Sequence, residues 1–370
     1  MDETAKQASR VVESTAKAVA NWTVGRHAQL DQGLEQRYGA NWREEWVGHI
    51  AAQMQFLAQA VAVRRPEVFA ESVRLTWAAF RARGVPDTDL ATSLRCLRDV
   101  IQTELPPAAA TTASSYVGQA LEQVEAAPPV VDEPVIGEGP HQQLALRYLE
   151  AVLDGRREDA ERVILGAVDA ALSIRDAYEH VLQPVQVELG RMWLTGEISV
   201  GDEHFASAIT QSIMSGLRNR SPERQRKDKV VVAAAAAGEL HEIGVRMVAD
   251  FFDMDGWDVV YLGANTPSAD ILEAIRRHRA DLLAVSVSTL LHLCTIGEVI
   301  GQVRQDGACA QTKILVGGPP FRAVTNLWSE LGADGSAASA TEAVSIGNAL
   351  VGCDGRVQGD HSRKPDGPFR

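Results

Sequence analysis

The residues best equipped for chemistry lie in one short stretch, Glu239-Leu240-His241-Glu242-Ile243-Gly244. A neutral imidazole is a good donor to a metal, and a carboxylate two residues away can fix its tautomer and raise its basicity. Gly244 removes the side chain that would keep another body away from the start of the next element. The spacing Glu-x-His-x-x-Gly alone suits an ordinary surface histidine in a polar loop equally well. Two more short sequences of special character follow, Ser288-Thr289-Leu290 and Gly317-Gly318.

The elements that must position these residues can be read around them. Val230-Val231-Val232 and five alanines precede Glu239. A continuous apolar run of that kind reads as a strand buried on both faces of a parallel sheet. Val245 to Phe252 carries apolar residues at helical spacing. His241 is therefore expected on the turn at the carboxyl end of a strand, the end at which open α/β sheets bind ligands. Strands are expected near 229–237, 257–261, 282–287 and 313–316, with a short fifth near Ala333, and helices alternate with them. That alternation means a parallel, doubly wound sheet. Ser288-Thr289-Leu290 would leave its third strand and Gly317-Gly318 its fourth.

Upstream, residues 141 to about 219 read as four helices, with Pro184 expected to kink the third. This part contains Trp193 and, ten and eleven residues later, Glu203-His204. On a helix–turn–helix the spacing brings a large flat ring and a polar pair towards one pocket. A core tryptophan beside a solvated Glu-His pair has the same spacing, and both readings stand at this point.

The three loops together resemble the cobalamin-binding domain, whose pattern is Asp-x-His-x-x-Gly, then Ser-x-Leu, then Gly-Gly. The resemblance implies that His241 ligates cobalt from below, with Glu239 behind it in the place of the aspartate. It also implies that the cofactor's nucleotide tail enters past Ser288, Leu290, Gly317 and Gly318, beside Gly244. The helices of 141–222 resemble the module that lies over cobalamin's upper face. Trp193 with Glu203 and His204 resembles the adenosylcobalamin photoreceptors of the CarH light-dependent repressor group, over about residues 141 to 350. In that group a histidine follows the tryptophan, whereas here the position is Leu194. A cobalamin domain joined to a helical, globin-like one also resembles the photocobilins, which hold biliverdin near the cobalamin. These resemblances imply a light-dependent homo-oligomer that signals through a downstream protein. The alternatives are a corrinoid methyl carrier serving a methyltransferase, which would need neither Trp193 nor Glu203, and a cobalamin-dependent antirepressor. In each reading the chain itself is not an enzyme.

Residues 1–125 read as an all-α domain, with Pro66 opening one helix and Asp87 or Thr88 capping the next. Four of the chain's seven tryptophans lie there: Trp22, Trp42, Trp46 and Trp77. A bilin would need aromatic walls and cations for its propionates, and Trp46, His49, Arg74 and Trp77, with Arg43, are the candidates. A plain packed core explains the same residues. Cys96, on an apolar helix face, is expected to pack there. Residues 126–140 are rich in proline and carboxylates and read as a linker; 141–222 form the cap, 229–352 the α/β domain and 353–370 a disordered tail. A net charge of -13 argues against unaided nucleic-acid binding. No run reaches membrane-spanning length and the four cysteines are scattered, so a cytoplasmic protein is expected.

Overall fold

The computed structural model describes residues 3–127, 136–221 and 225–353. Most of the expected linker and the tail from 354 onward lie outside the described residues.

The sheet has five parallel strands: β1 (Val230–Ala236), β2 (Asp258–Thr266), β3 (Leu282–Ser286), β4 (Lys313–Gly317) and β5 (Gly335–Ala337). Their order is β2-β1-β3-β4-β5. The chain steps from β1 to one side, then returns to place β3 on the other, so the topological switch falls between β1 and β3. Ser286 pairs with Gly317 at the carboxyl edge, which brings the loops after β3 and β4 together. The strand β2 runs well past its expected end at 261, because it continues through irregular pairing with β1.

Successive strand residues face opposite sides, and the core divides accordingly. Val232, Ala234, Leu283, Val285, Ile314 and Val316 belong to one cluster. Val231, Ala233, Ala235, Leu282, Ala284 and Leu315 belong to another. The first cluster continues into the N-terminal helices α1 (Glu3–Ser14), α2 (Ala16–Leu30), α3 (Leu34–Tyr38), α4 (Trp42–Val63), α5 (Pro66–Ala82), α6 (Asp87–Glu104) and α7 (Pro107–Ala126). The second continues into the cap helices α8 (Pro140–Leu153), α9 (Arg157–Asp169), α10 (Ile174–Ala177), α11 (Gln183–Thr195) and α12 (Val200–Arg218). The sheet's own helices are α13 (Ile243–Met254), α14 (Ser268–His278), α15 (Leu293–Gln305), α16 (Pro319–Ala323), α17 (Leu327–Glu330) and α18 (Ala340–Leu350). No helix among the described residues is long and apolar enough to cross a membrane.

Local chemistry explains the element ends. Pro107 occupies the first turn of α7, where a missing N–H costs nothing. Asp87 does not cap α6; its carboxylate accepts the Trp77 indole N–H at 2.8 Å. Between α10 and α11 the helix passes through a π turn, Tyr178–Leu182, directly before Gln183-Pro184. The wider turn relieves the clash of the proline ring with the carbonyl four residues back. Ser199 and Asp202 form a reciprocal capping box at the start of α12.

The cap grips the sheet through a buried polar joint. The Tyr178 hydroxyl donates to Asp250 on α13 at 2.8 Å, and the Arg218 guanidinium lies 3.2 Å from the same carboxylate. Glu179 accepts from the amide and hydroxyl of Thr341 at the start of α18, both at 2.8 Å.

Candidate functional site

The turn after β1 is fixed from three sides. Gly238 has a φ of +86°, which a side chain would strain. Its amide donates to the Asn265 side-chain oxygen at 2.8 Å, and the Asn265 amide donates back to the Glu239 carbonyl at 2.8 Å. The His292 ring lies over Gly238, 2.9 Å from where a Cβ would sit.

Glu239, next in the turn, is fully buried. One carboxylate oxygen accepts the His241 amide at 3.0 Å and lies 2.5 Å from the His241 Nδ1. The other accepts the amides of Ser288 at 2.7 Å and Thr289 at 3.2 Å. One carboxylate therefore ties the loop after β1 to the loop after β3, across the switch point, and the length of a glutamate suits that span. Burial alone would raise the Glu239 carboxyl, but the hydrogen bonds from His241 and the Ser288 amide outweigh it and hold the group below the usual value. The same bond raises the His241 imidazole above its ordinary value, against the effect of burial. An ionised Glu239 beside Nδ1 assigns the proton to that nitrogen. The lone pair of a neutral His241 is then on Nε2, and 63% of the side chain's surface is open to solvent.

The remaining loops form the crevice. A Cβ on Gly318, whose φ is +115°, would lie 1.9 Å from the Val287 carbonyl oxygen, so the chain cannot pass there with a side chain. Gly317 lies against the Ala337 carbonyl. Ser288 contributes its amide to Glu239, while the neighbouring Thr289 hydroxyl is buried with no hydrogen-bond partner among the described residues. Leu290 is 5% exposed and packs in the core that includes α4. It anchors its loop rather than facing outward. Gly244 is exposed, with nothing nearer a Cβ than the Ser286 hydroxyl at 3.7 Å.

On the cap, Trp193 is 47% exposed near the end of α11. Glu203, in the first turn of α12, lies 2.6 Å from the His204 Nδ1 and accepts the Ser207 hydroxyl at 2.6 Å. The Ser207 hydroxyl also lies 3.1 Å from the Gln186 side-chain oxygen, and the Gln186 amide donates to Thr210, hydrogen-bonded to the buried Tyr148 hydroxyl. The Glu203 charge adds a minor upward influence on the His241 imidazole.

The structure places the N-terminal candidates elsewhere, in a packed core. Trp46 and Trp77 are 5% and 3% exposed. Trp46 is ringed by His27, Tyr38 and Phe80, His49 lies 4.4 Å from the Phe80 ring centre, and Trp42 lies under Arg43. Arg74 pairs with Glu71 at 2.8 Å. The cavity lined by His49, Gln53, Thr76, Trp77 and Ser93 measures about 20 Å³, room for a water but not for an open-chain tetrapyrrole. Cys96 is buried, and burial pushes its thiol up, away from reactivity. The candidate residues pack as a core, and the cavity at His49 and Trp77 is too small for a bilin.

Asn265, His292 and the Ser207–Tyr148 chain were not anticipated. Asn265 carries a weak signal, since asparagine tolerates the left-handed conformation it adopts here, with φ +49°. The others depend on contacts between distant segments.

A family model described as a B12 binding domain matches residues 229–345, and a second of the same description matches 144–218. A corrinoid protein of Desulfitobacterium hafniense is 25% identical over 211 residues, which cover 55% of this chain and 95% of that protein. A dimethylamine corrinoid protein of Methanosarcina barkeri is 24% identical over 208 residues, covering 53% of this chain and 96% of that protein. Among solved structures, the monomethylamine corrinoid protein of Methanosarcina barkeri overlays with a TM-score of 0.50 at 20% identity, over 57% of this chain and 99% of that one, a likeness of fold. The two relatives matched by sequence overturn the light-sensor reading: they are corrinoid proteins, one of them named for dimethylamine, and so favour the carrier alternative. Residues 144–218 and 229–345 make up a cobalamin-binding module.

Proposed function

We propose that this chain is a corrinoid carrier protein that serves a methyltransferase. The observation that carries the reading is the His241 imidazole, held through Nδ1 by a buried, four-fold hydrogen-bonded Glu239 and presenting Nε2 to the open edge of the sheet. Among the described residues no three His, Cys, Asp or Glu side chains gather to hold a metal. A single oriented histidine suits a metal that arrives with its own equatorial ligands, as cobalt does in a corrin. The unpartnered Thr289 hydroxyl and the Gly317-Gly318 cradle fit the polar tail of such a cofactor.

When bound, the corrinoid supplies a cobalt centre able to accept and release a methyl group. The chain's own residues do the rest. Glu239 keeps the proton on Nδ1 and stops the ring from turning. Gly244 and the exposed Leu240 leave the floor of the site open to a large flat ring. Trp193 and Glu203 form the roof, and these two would accommodate an adenosyl as well as a methyl group. Activation of the methyl donor falls to the partner enzyme, so the chain itself is not a catalyst.

Hydroxocobalamin mixed with the purified chain should be retained on gel filtration with the spectrum of imidazole ligation, and His241→Ala should lose that signature. Supplied with a corrinoid-dependent methyltransferase and its thiol acceptor, the chain loaded with methylcobalamin should lose its methyl group to that thiol, and loading with adenosylcobalamin is compared in parallel. A chain that retains no corrinoid, or one whose spectrum is the same without His241, would overturn the reading.

A further inference from the structure

The N-terminal helices and the cap meet where two helix ends converge. α5 stops at Ala82 and α11 at Thr195, and Arg83 lies between them. Its Nη1 donates to the Ala79 carbonyl at 2.9 Å and to the Leu194 carbonyl at 2.6 Å. The guanidinium lies against Gly196, where a Cβ would be 3.4 Å from Nε. Both helix ends carry the negative pole of a dipole and unpaired carbonyls, and one cation between them satisfies both. Leu194 follows Trp193, and the turn beyond it runs straight into α12 and Glu203.

The same helices also hold the sheet side of the site. The Gln59 side chain, on α4, accepts the Cys294 amide in the first turn of α15 at 2.9 Å. Arg65 donates to Glu330 at 2.6 Å and to the Thr325 carbonyl at 3.2 Å. α4 also packs on the turn Leu290–His292, which continues the Ser288 loop. The two B12 binding domain matches cover residues 144–218 and 229–345, so these helices lie outside both.

We propose that Arg83 is a positioning residue. It ties the α11–α12 turn of the cap to the N-terminal helices, which thereby act as a brace setting how closely Trp193 and Glu203 stand over His241. The consequence for a corrinoid rests on the carrier reading; the brace itself does not.

The test uses the full chain with Arg83→Ala and Arg83→Lys. In the corrinoid-free chain, hydrogen exchange of residues 193–200 should quicken about fivefold in Arg83→Ala, as loss of a charge-assisted bond to a carbonyl implies, while residues 140–153 keep the wild-type rate. Arg83→Lys should recover part of the protection. With hydroxocobalamin bound, cyanide should substitute at the upper face faster by a similar factor, with the imidazole signature of the lower face unchanged. Unchanged exchange at 193–200, or a rise spread evenly over the cap, would overturn the brace. A chain that takes up no hydroxocobalamin would sink the carrier reading instead, and the exchange result would still decide the brace.

Discussion

Two regions of this molecule hold histidines among aromatic or acidic neighbours, and they treat them in opposite ways. In the turn after β1, His241 is raised by a buried carboxylate and presents its free nitrogen outward. Inside the N-terminal helices, burial lowers His27, and pushes His49 down to about 4. His27 is 1% exposed, with no hydrogen-bond partner on either ring nitrogen among the described residues. The first environment makes a base oriented for a ligand. The second makes a neutral filler among Trp46, Tyr38 and Phe80. Residue type near a tryptophan is therefore a poor guide to a site; what distinguishes one is a fixed partner on one nitrogen and open space on the other.

The contrast breaks most completely if Glu239 is removed. Glu239→Ala leaves three backbone amides without their acceptor and frees the imidazole, so urea unfolding should show a loss of about 3 kcal/mol. Corrinoid affinity, measured by equilibrium dialysis, should fall about tenfold to 100-fold. Acid tests the opposite region. An unfolded imidazole takes its proton near pH 6.5, whereas His49 in the folded chain waits until about 4. Between those values the unfolded state binds more protons, so the His49 contribution is complete above pH 6.5 and is lost as pH falls to 4. The urea midpoint should drop over that window by the equivalent of about 2 kcal/mol, after allowance for partial exposure, and His49→Phe should flatten the decline. His241→Ala removes one of the four hydrogen bonds to the buried Glu239 carboxylate and should cost about 1.5 kcal/mol in urea unfolding. Corrinoid binding should weaken about tenfold as well, with loss of the imidazole spectrum. The smallest effect belongs to Glu203→Gln. That carboxylate sits on a helix with a mostly exposed partner in His204, and affinity should change by about twofold or less.

Much of the sheet was legible because its signals are local. Apolar runs ended in Glu239, Ser288 and Gly317, and the strands β1, β3 and β4 lie close to where those runs put them. The Gly317-Gly318 pair was legible as a special loop after its strand, and the Val287 carbonyl where a Gly318 Cβ would sit gives one reason for it. The pairing of Glu239 with the Ser288 and Thr289 amides was not legible, since it joins residues about fifty positions apart through a backbone group that carries no sequence signature. Arg83 escaped notice for the same reason, its acceptor being a carbonyl 111 residues away. The N-terminal helices misled in a different way. An aromatic wall for a ligand and an aromatic core have the same composition, and only the size of the space between the rings separates them.

The alternation of the strands bears on how the chain melts. Val231 faces one helical layer and Val232 the other, yet they share a peptide bond. Each layer includes helices of the α/β unit itself, α14 and α15 on one side and α13 and α18 on the other, so stripping a whole layer would bare an apolar face of the five-stranded sheet, at a cost that grows with the area exposed. Neither layer can therefore unfold alone without taking the sheet with it. Calorimetry should record a single cooperative transition for a chain whose sequence reads as several pieces.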